Sequence, residues 1–124
     1  MDTFYEIPLK EAITWTKNWR KYKQSHGKKK NEYIRAFRVD LAELDEIRRE
    51  KGTEHVRIYF GLEEKDGVMI EKLVLVGVDD EDNDIIDIKS LSAQPTSSGT
   101  FDFSKPCPPT CSEENVLNSD ETVI

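Results

Sequence analysis

The stretch from His55 to Asp80 reads HVRIYFGLEEKDGVMIEKLVLVGVDD and contains the most apolar run of the 124-residue chain. Apolar and other residues alternate over 55–62, which is the two-residue period of a half-buried strand. Asp66-Gly67 then indicates a tight turn, because glycine tolerates positive φ. The following stretch, 68–78, ends in a run that is apolar on both faces and predicts a central strand.

The first strand of this hairpin has two chemically different faces. One face carries Val56, Ile58, Phe60 and Leu62. The other carries His55, Arg57, Tyr59 and Gly61. We expect the apolar set to lie in the core and the mixed set to be partly wet. A helix is the competing interpretation of 68–78, but the β-branched residues of this stretch and the flanking Asp-Gly and Asp-Asp pairs favour a strand.

A first helix is predicted between Pro8 and Ser25. Proline suits the first helical turn, where its missing N–H costs nothing, and His26-Gly27 closes the helix. Its broad apolar side has an aromatic strip along one edge, and we expect Trp19 to be mostly buried. The strip consists of Trp15, Trp19 and Tyr22.

A strand over 33–39 precedes a second, shorter helix. Asp40 and Glu43 have the spacing of a capping box, in which each side chain satisfies a free backbone N–H of the first turn. The predicted buried stripe consists of Leu41, Leu44 and Ile47. Gly52 marks the end of this helix.

These elements predict an α+β fold: an antiparallel sheet of three to four strands, packed on one face by two helices. We expect one domain over residues 1–91, with a short further strand over 85–91. From residue 92 the composition shifts to Ser, Thr, Pro and Gly. Residues 92–124 are therefore predicted to form an extended tail with little regular structure.

The net charge of −7 is unevenly distributed along the chain. Residues 1–62 carry 14 Lys/Arg against 10 Asp/Glu (+4), and residues 63–124 carry 4 against 15 (−11). Solvated faces of opposite sign, or separate partners for the two ends, are both consistent with this asymmetry. With neither a long apolar run nor a signal-peptide pattern at the N-terminus, we expect no membrane span and a cytoplasmic location.

Residues 10–30 hold eight Lys/Arg and a single Glu. Basic groups interleaved with aromatic ones can bind phosphates and stack bases. A solvated basic face with the aromatic rings turned to the core is the simpler interpretation, and the acidic second half would repel a polyanion. Nucleic acid is therefore an unlikely partner.

The acidic loop over 79–87 raises the question of a calcium site. Asp80, Asp82 and Asp84 alternate, as calcium ligands do, but Ile85 and Leu91 stand where an EF-hand needs Gly and Glu. An acidic turn between strands is favoured over a looser metal site on these three carboxylates.

Two cysteines, Cys107 and Cys111, flank two prolines in the motif PCPPTC. They can be half of a metal site, a redox pair or two free thiols. A zinc site needs two more ligands, and His26 and His55 are the only histidines. In a reducing cytoplasm we expect free thiols.

Six motifs in one order are similar to those of a family of small, uncharacterised bacterial proteins. They are EAITWTKNWR (11–20), RIYFG (57–61), LVLVGVD (73–79), DNDI (82–85), PCPPTC (106–111) and NVLNS (115–119). The resemblance implies no activity, cofactor or partner. The chain differs from the family pattern in Trp19, in Asp82, and in GTEH at 52–55, where relatives often have a further cysteine.

No recognised catalytic motif is present, and no cofactor is expected. The leading functional hypothesis is a small binding or interaction protein that docks a protein partner through its acidic C-terminal half, with a homodimer as a possible form. The alternative is a ligand-binding domain or small enzyme that uses His55, Arg57, Tyr59 and the acidic loop. A flat patch would favour the first, and a concave pocket beside Arg57 the second.

Overall fold

The structure, a computed structural model, describes residues 5–29, 32–92, 97–102 and 104–119. Its helices are α1 (Leu9–Ser25) and α2 (Leu41–Arg49), with a short 3₁₀-helix at Ile88–Leu91. Its strands are β1 (Ala36–Arg38), β2 (His55–Lys65), β3 (Val68–Val78), β4 (Thr100–Phe101) and β5 (Lys105–Cys107). The predicted α+β class, with an antiparallel sheet, is confirmed.

The chain divides into two compact units, neither of which ends at residue 91. One comprises Met1–Phe37 with Pro106–Ile124, and the other comprises Arg38–Lys105. In its described part the expected tail contributes β4 to a three-stranded sheet and β5 to a two-stranded one with β1. These two strands are two and three residues long. Residues 93–96, 103 and 120–124 lie outside the described residues.

The three-stranded sheet has the order β2-β3-β4 and is antiparallel throughout. The hairpin pairs without interruption from His55 opposite Val78 to Lys65 opposite Val68. Asp66 and Gly67 in its turn both have positive φ, 52° and 79°, as a tight turn matched to the twist of the strands requires. The hairpin and the central position of β3 are thus confirmed.

The core of the second unit is built on β3 and α2. Residues on both faces of β3 are buried, namely Leu73, Leu75, Val76 and Val78. From α2, Ile47 is fully buried and lies over Gly77, where a Cβ atom would come within 3.4 Å of Ile47 Cγ2. That distance is ordinary van der Waals contact, but the same Cβ atom would lie 2.8 Å from Thr53 Oγ1, so the glycine makes room for Thr53, between α2 and β2. The apolar face of β2, which was expected in the core, is exposed.

The buried side of α2 differs from the predicted stripe. Glu43 is buried and Leu41 is 75% exposed. At about 100° per residue, Glu43 lies within about 40° of Ile47 around the helix axis, whereas Leu41 lies about 120° away. The predicted capping box is wrong as well, because the Asp40 side chain accepts no capping hydrogen bond from the described residues and Glu43 turns inward.

In the first unit, α1 follows Pro8 and ends at Ser25, as predicted. Its buried residue is Arg20, whose guanidinium donates to the carbonyl oxygens of Leu117 (2.7 Å) and Ser119 (3.4 Å). Trp19 is 44% exposed, so the expectation that it is mostly buried is wrong. The backbone carbonyls on the buried side of α1 require a hydrogen-bond donor, and Arg20 supplies it. The aromatic strip is exposed.

The segment after the acidic loop contains less β-strand than the sequence predicted. Asp84 makes a single bridge with Val78, and a 3₁₀-helix occupies Ile88–Leu91 in place of the strand predicted over 85–91. The Asp87 carboxylate caps this short helix by accepting from the Lys89 N–H. Among the described residues, no helix has the length and apolar character needed to cross a bilayer.

Candidate functional site

Arg57 and Tyr59 lie on one face of β2, because residues two apart in a strand point the same way. Their partners on β3 are Val76 and Val74. The guanidinium and the phenol therefore extend over this face toward the far side of β3, where the chain continues into the acidic loop.

The acidic loop is folded by its own first carboxylate. Asp79 Oδ1 accepts hydrogen bonds from the N–H groups of Glu81 and Asn83, both at 2.9 Å. Asp82 adopts a left-handed backbone conformation with φ 67°, which aspartate tolerates better than most residues. This tight turn reverses the chain and carries the side chains of Asp82 and Asp84 back over the sheet.

The result is a four-residue cluster, which we call the Arg57 cluster: Arg57, Tyr59, Asp82 and Asp84. Arg57 Nη1 donates to Asp84 Oδ1, and Arg57 Nη2 lies 2.6 Å from Asp82 Oδ1. The Tyr59 hydroxyl donates to Asp84 Oδ2, the second oxygen of the same carboxylate. Asp84 is the centre of the cluster, since both oxygens are used and its side chain is largely covered.

The pKa shifts of the cluster follow from these bonds. The Tyr59 hydroxyl is the largest cause that lowers the pKa of Asp84, and Arg57 acts in the same direction. The hydrogen bond to Asp84 is also the main cause that raises the pKa of Arg57 and that of Tyr59. Each partner thus favours one protonation state: charged Asp84 and Arg57 with a neutral Tyr59.

Of the six predicted site residues on β2 and in the acidic loop, the structure brings together four and leaves two apart. Among the described residues, the bonds that hold the Arg57 cluster do not involve His55, which is exposed at the start of β2. Asp80 is also exposed. No three His, Cys, Asp or Glu side chains of the described chain form a group able to hold a metal. A calcium ion on the loop would have to displace Arg57 from two of its three proposed ligands.

The opposite face of β2 forms an exposed apolar strip, defined by Val56, Ile58, Phe60 and Leu62. Phe60 is 88% exposed and Leu62 is 62% exposed. These residues lie opposite Gly77, Leu75, Leu73 and Glu71 on β3, respectively. The strip lies on the edge strand of the sheet, beside the buried Leu73 and Leu75 of β3, and its exposure rises from 40% at Val56 to 88% at Phe60.

Acidic residues border the strip at the turn end of the hairpin. Glu71 pairs with Leu62, and Glu64 pairs with Met69, so both carboxylates lie on the same face as Phe60. Both are exposed, as is Met69. The face therefore combines an apolar centre with a negatively charged end.

Cys107 and Cys111 form a disulfide with their Cα atoms 4.8 Å apart, which corrects the expectation of free thiols. Two residues of rigid φ within a three-residue spacer hold the cysteines close enough to bond. Since both sulfurs are used in the bond, neither serves as a metal ligand in this state. Cys107 is buried and Cys111 is exposed.

Arg35 lies next to this disulfide, a contact that the sequence does not predict. Its Nη2 atom is 3.6 Å from Cys111 Sγ and 4.0 Å from Cys107 Sγ, and its backbone N–H donates to the Cys107 carbonyl at 2.7 Å. The sequence signal was limited to a basic residue at the start of a predicted strand. Nothing local connects it to cysteines more than 70 positions away.

Comparisons with protein-family models, curated proteins and solved structures gave no match to this chain. The chemistry of the Arg57 cluster, the apolar strip and the disulfide is therefore interpreted from their own geometry.

Proposed function

We propose that this protein is an interaction module that docks a basic protein partner, with the apolar strip on β2 as the centre of the contact and acidic residues from the second half of the chain at its border. The observation that carries the proposal is the 88% exposure of Phe60 among three further exposed apolar side chains on one face of β2. Contiguous exposed apolar surface is unusual in a protein that works alone and typically marks a binding surface.

Charge gives the chemistry of the partner. Glu64 and Glu71 are exposed and border the strip on the same face of the sheet. A complementary partner segment has apolar side chains at its centre and Lys or Arg beside them. Aromatic residues in the middle of such a surface usually contribute most of the binding energy, which assigns that role to Phe60.

The Arg57 cluster supports this function over the ligand-binding or enzymatic alternative. A guanidinium that bound a substrate anion would need free donors, but Arg57 already contacts two carboxylates of its own chain. The cluster fixes the acidic loop to the sheet and thereby stiffens the hairpin. A rigid hairpin loses less conformational entropy when it binds. The cluster, although it lies on the opposite face of β2 from the strip, would therefore increase the affinity for the partner.

Photo-cross-linking tests the proposal by capturing whatever protein contacts the strip. A benzoylphenylalanine replaces Phe60 in the full chain, and a control chain carries it at Val68, which is 61% exposed on the opposite face. We expect one discrete adduct from position 60 in extract of the source cells, joined to a segment that is apolar with flanking Lys or Arg. Its yield should fall with added salt and in Glu64→Gln/Glu71→Gln.

Three results would overturn the proposal. They are equal adducts from both positions, no adduct from position 60, and an adduct of only twice the mass of the chain, which would identify a second copy as the occupant of the strip.

A further inference from the structure

The disulfide between Cys107 and Cys111 is asymmetric in a way that the interaction function does not use. The Cys111 sulfur belongs to an exposed residue, whereas Cys107 is only 5% exposed. An attacking thiol must approach a disulfide sulfur directly, so exposure determines which sulfur is attacked. Cys111 is the accessible position.

Arg35 supplies positive charge at both sulfurs. Its Nη2 atom lies 3.6 Å from Cys111 Sγ and 4.0 Å from Cys107 Sγ. A disulfide is neutral and gains little from a guanidinium, but a thiolate is negative and is stabilised by one. The arginine thus favours the products of reduction, and a cysteine with a lower pKa is also a better leaving group.

We propose that Cys107 and Cys111 are a redox-active pair that exchanges with thiols, with Cys111 as the attacked and attacking sulfur, Cys107 as the resolving sulfur and Arg35 as the stabiliser of the thiolates. The substrate class is a low-molecular-weight thiol or a protein dithiol and its disulfide.

Reduction proceeds in two steps with two thiols as the reductant. The thiolate of the first attacks Cys111 Sγ and forms a mixed disulfide there; the bond between the two protein sulfurs breaks, and its electron pair goes to Cys107 Sγ beside Arg35. The second thiolate attacks the reductant sulfur of the mixed disulfide and releases Cys111 as a thiolate. The protein disulfide has gained two electrons. The two reductant thiols have become one disulfide, and the protons that they lose pass to solvent or to the cysteine thiolates.

The equilibrium test uses the full chain in two arms, a buffer of glutathione with its disulfide and, separately, reduced thioredoxin. Free thiols are then alkylated, and the mass of the chain is measured by mass spectrometry. We expect reversible conversion between the disulfide and a doubly alkylated chain in at least one arm. Reaction with glutathione identifies a small thiol as the substrate, and reaction with thioredoxin alone identifies a protein dithiol. A disulfide that survives both arms in the folded protein overturns the proposal.

A rate test isolates Arg35. In a Cys107→Ser background, the Cys111 thiol is alkylated with iodoacetamide at pH 7. The nearby guanidinium increases the thiolate fraction of Cys111, and the accompanying loss of nucleophilicity offsets about half of that gain on a logarithmic scale. Arg35→Gln should therefore slow alkylation roughly threefold, and Arg35→Lys should retain most of the rate because it keeps the charge.

Arg38→Gln is the matched control, since it removes a guanidinium from β1 that lies 3.8 Å from Asp40. Circular dichroism measures whether each variant is folded. If the Cys107→Ser chain does not fold, the glutathione experiment on the chain with both cysteines tests the redox activity instead. Equal alkylation rates in Arg35→Gln and Arg38→Gln would contradict the role of Arg35.

Discussion

The Tyr59 hydroxyl donates a hydrogen bond to Oδ2 of Asp84, a residue 25 positions later in the chain. This bond, with the pairing of Asp84 to Arg57, ties the acidic loop to the sheet. The remaining carboxylate of the cluster, Asp82, is exposed and adds less. Asp84 is therefore the residue on which the position of the loop depends.

Asp84→Asn should lower the stability of the protein in a pH-dependent way. The folded pKa of Asp84 lies below its ordinary value of about 3.9. A depressed carboxyl pKa contributes stability that is present above the unfolded pKa and is lost as the pH falls through the folded one. The urea midpoint of the variant should thus lie below that of the wild type at pH 7, and the two should converge below pH 4.

Asp80→Asn is the control for this comparison, because Asp80 is an exposed carboxyl of the same loop. It should change the midpoint little at any pH. A gap between Asp84→Asn and the wild type that stays constant from pH 7 to pH 3 would show that the charge of Asp84 is not what stabilises the loop.

Ile47→Ala should be among the most destabilising single substitutions in the second unit. Ile47 is fully buried between α2 and β3, and truncation of a buried isoleucine to alanine costs about 2–5 kcal/mol. Leu41→Ala on the same helix is the matched control and should change the free energy of unfolding by less than about 0.5 kcal/mol. Urea denaturation followed by circular dichroism measures both, and equal costs would show that α2 is rotated relative to the packing described.

Arg20→Leu should loosen the C-terminal segment of the first unit. The buried guanidinium donates to the Leu117 and Ser119 carbonyls, and loss of the donor leaves these acceptors without it at a cost of about 1–3 kcal/mol. Limited proteolysis should cut the variant earlier within residues 112–119 than the wild type. Lys21→Leu, at an exposed position of α1, is the control. Identical cleavage rates in the two variants would argue against the anchoring role.

The hairpin could be predicted from the sequence because its signals are local. Asp66-Gly67 determines the turn, and the turn with the alternation of 55–62 determines the register. The bounds of β3 and of α1 followed from similarly local patterns. The proximity of Arg57 and Tyr59 was also a local matter, since it depends only on their spacing in one strand.

Burial could not be predicted in the same way, because it depends on what packs against each face. The alternation of residues in β2 defines an apolar face, but it does not determine whether another element covers that face. In the structure Phe60, on this face, is exposed. Arg20 shows the converse: a basic residue is buried because backbone carbonyls distant in sequence need its donors. The contact of Arg35 with the disulfide is of the same nonlocal kind.

The exposure of Phe60 in the free protein is the central premise of the proposed function, and fluorine NMR measures it directly. 4-Fluorophenylalanine is placed at position 60 in the full chain, and the change of its ¹⁹F shift between H₂O and D₂O reports contact with solvent. Position 101 is the reference, because Phe101 lies on the same face but is only partly exposed. We predict a solvent shift at position 60 close to that of an unfolded peptide, clearly larger than at position 101 and independent of protein concentration. A shift at position 60 as small as that at position 101 in the dilute, isolated chain would contradict the account, since the strip would then be covered without any partner.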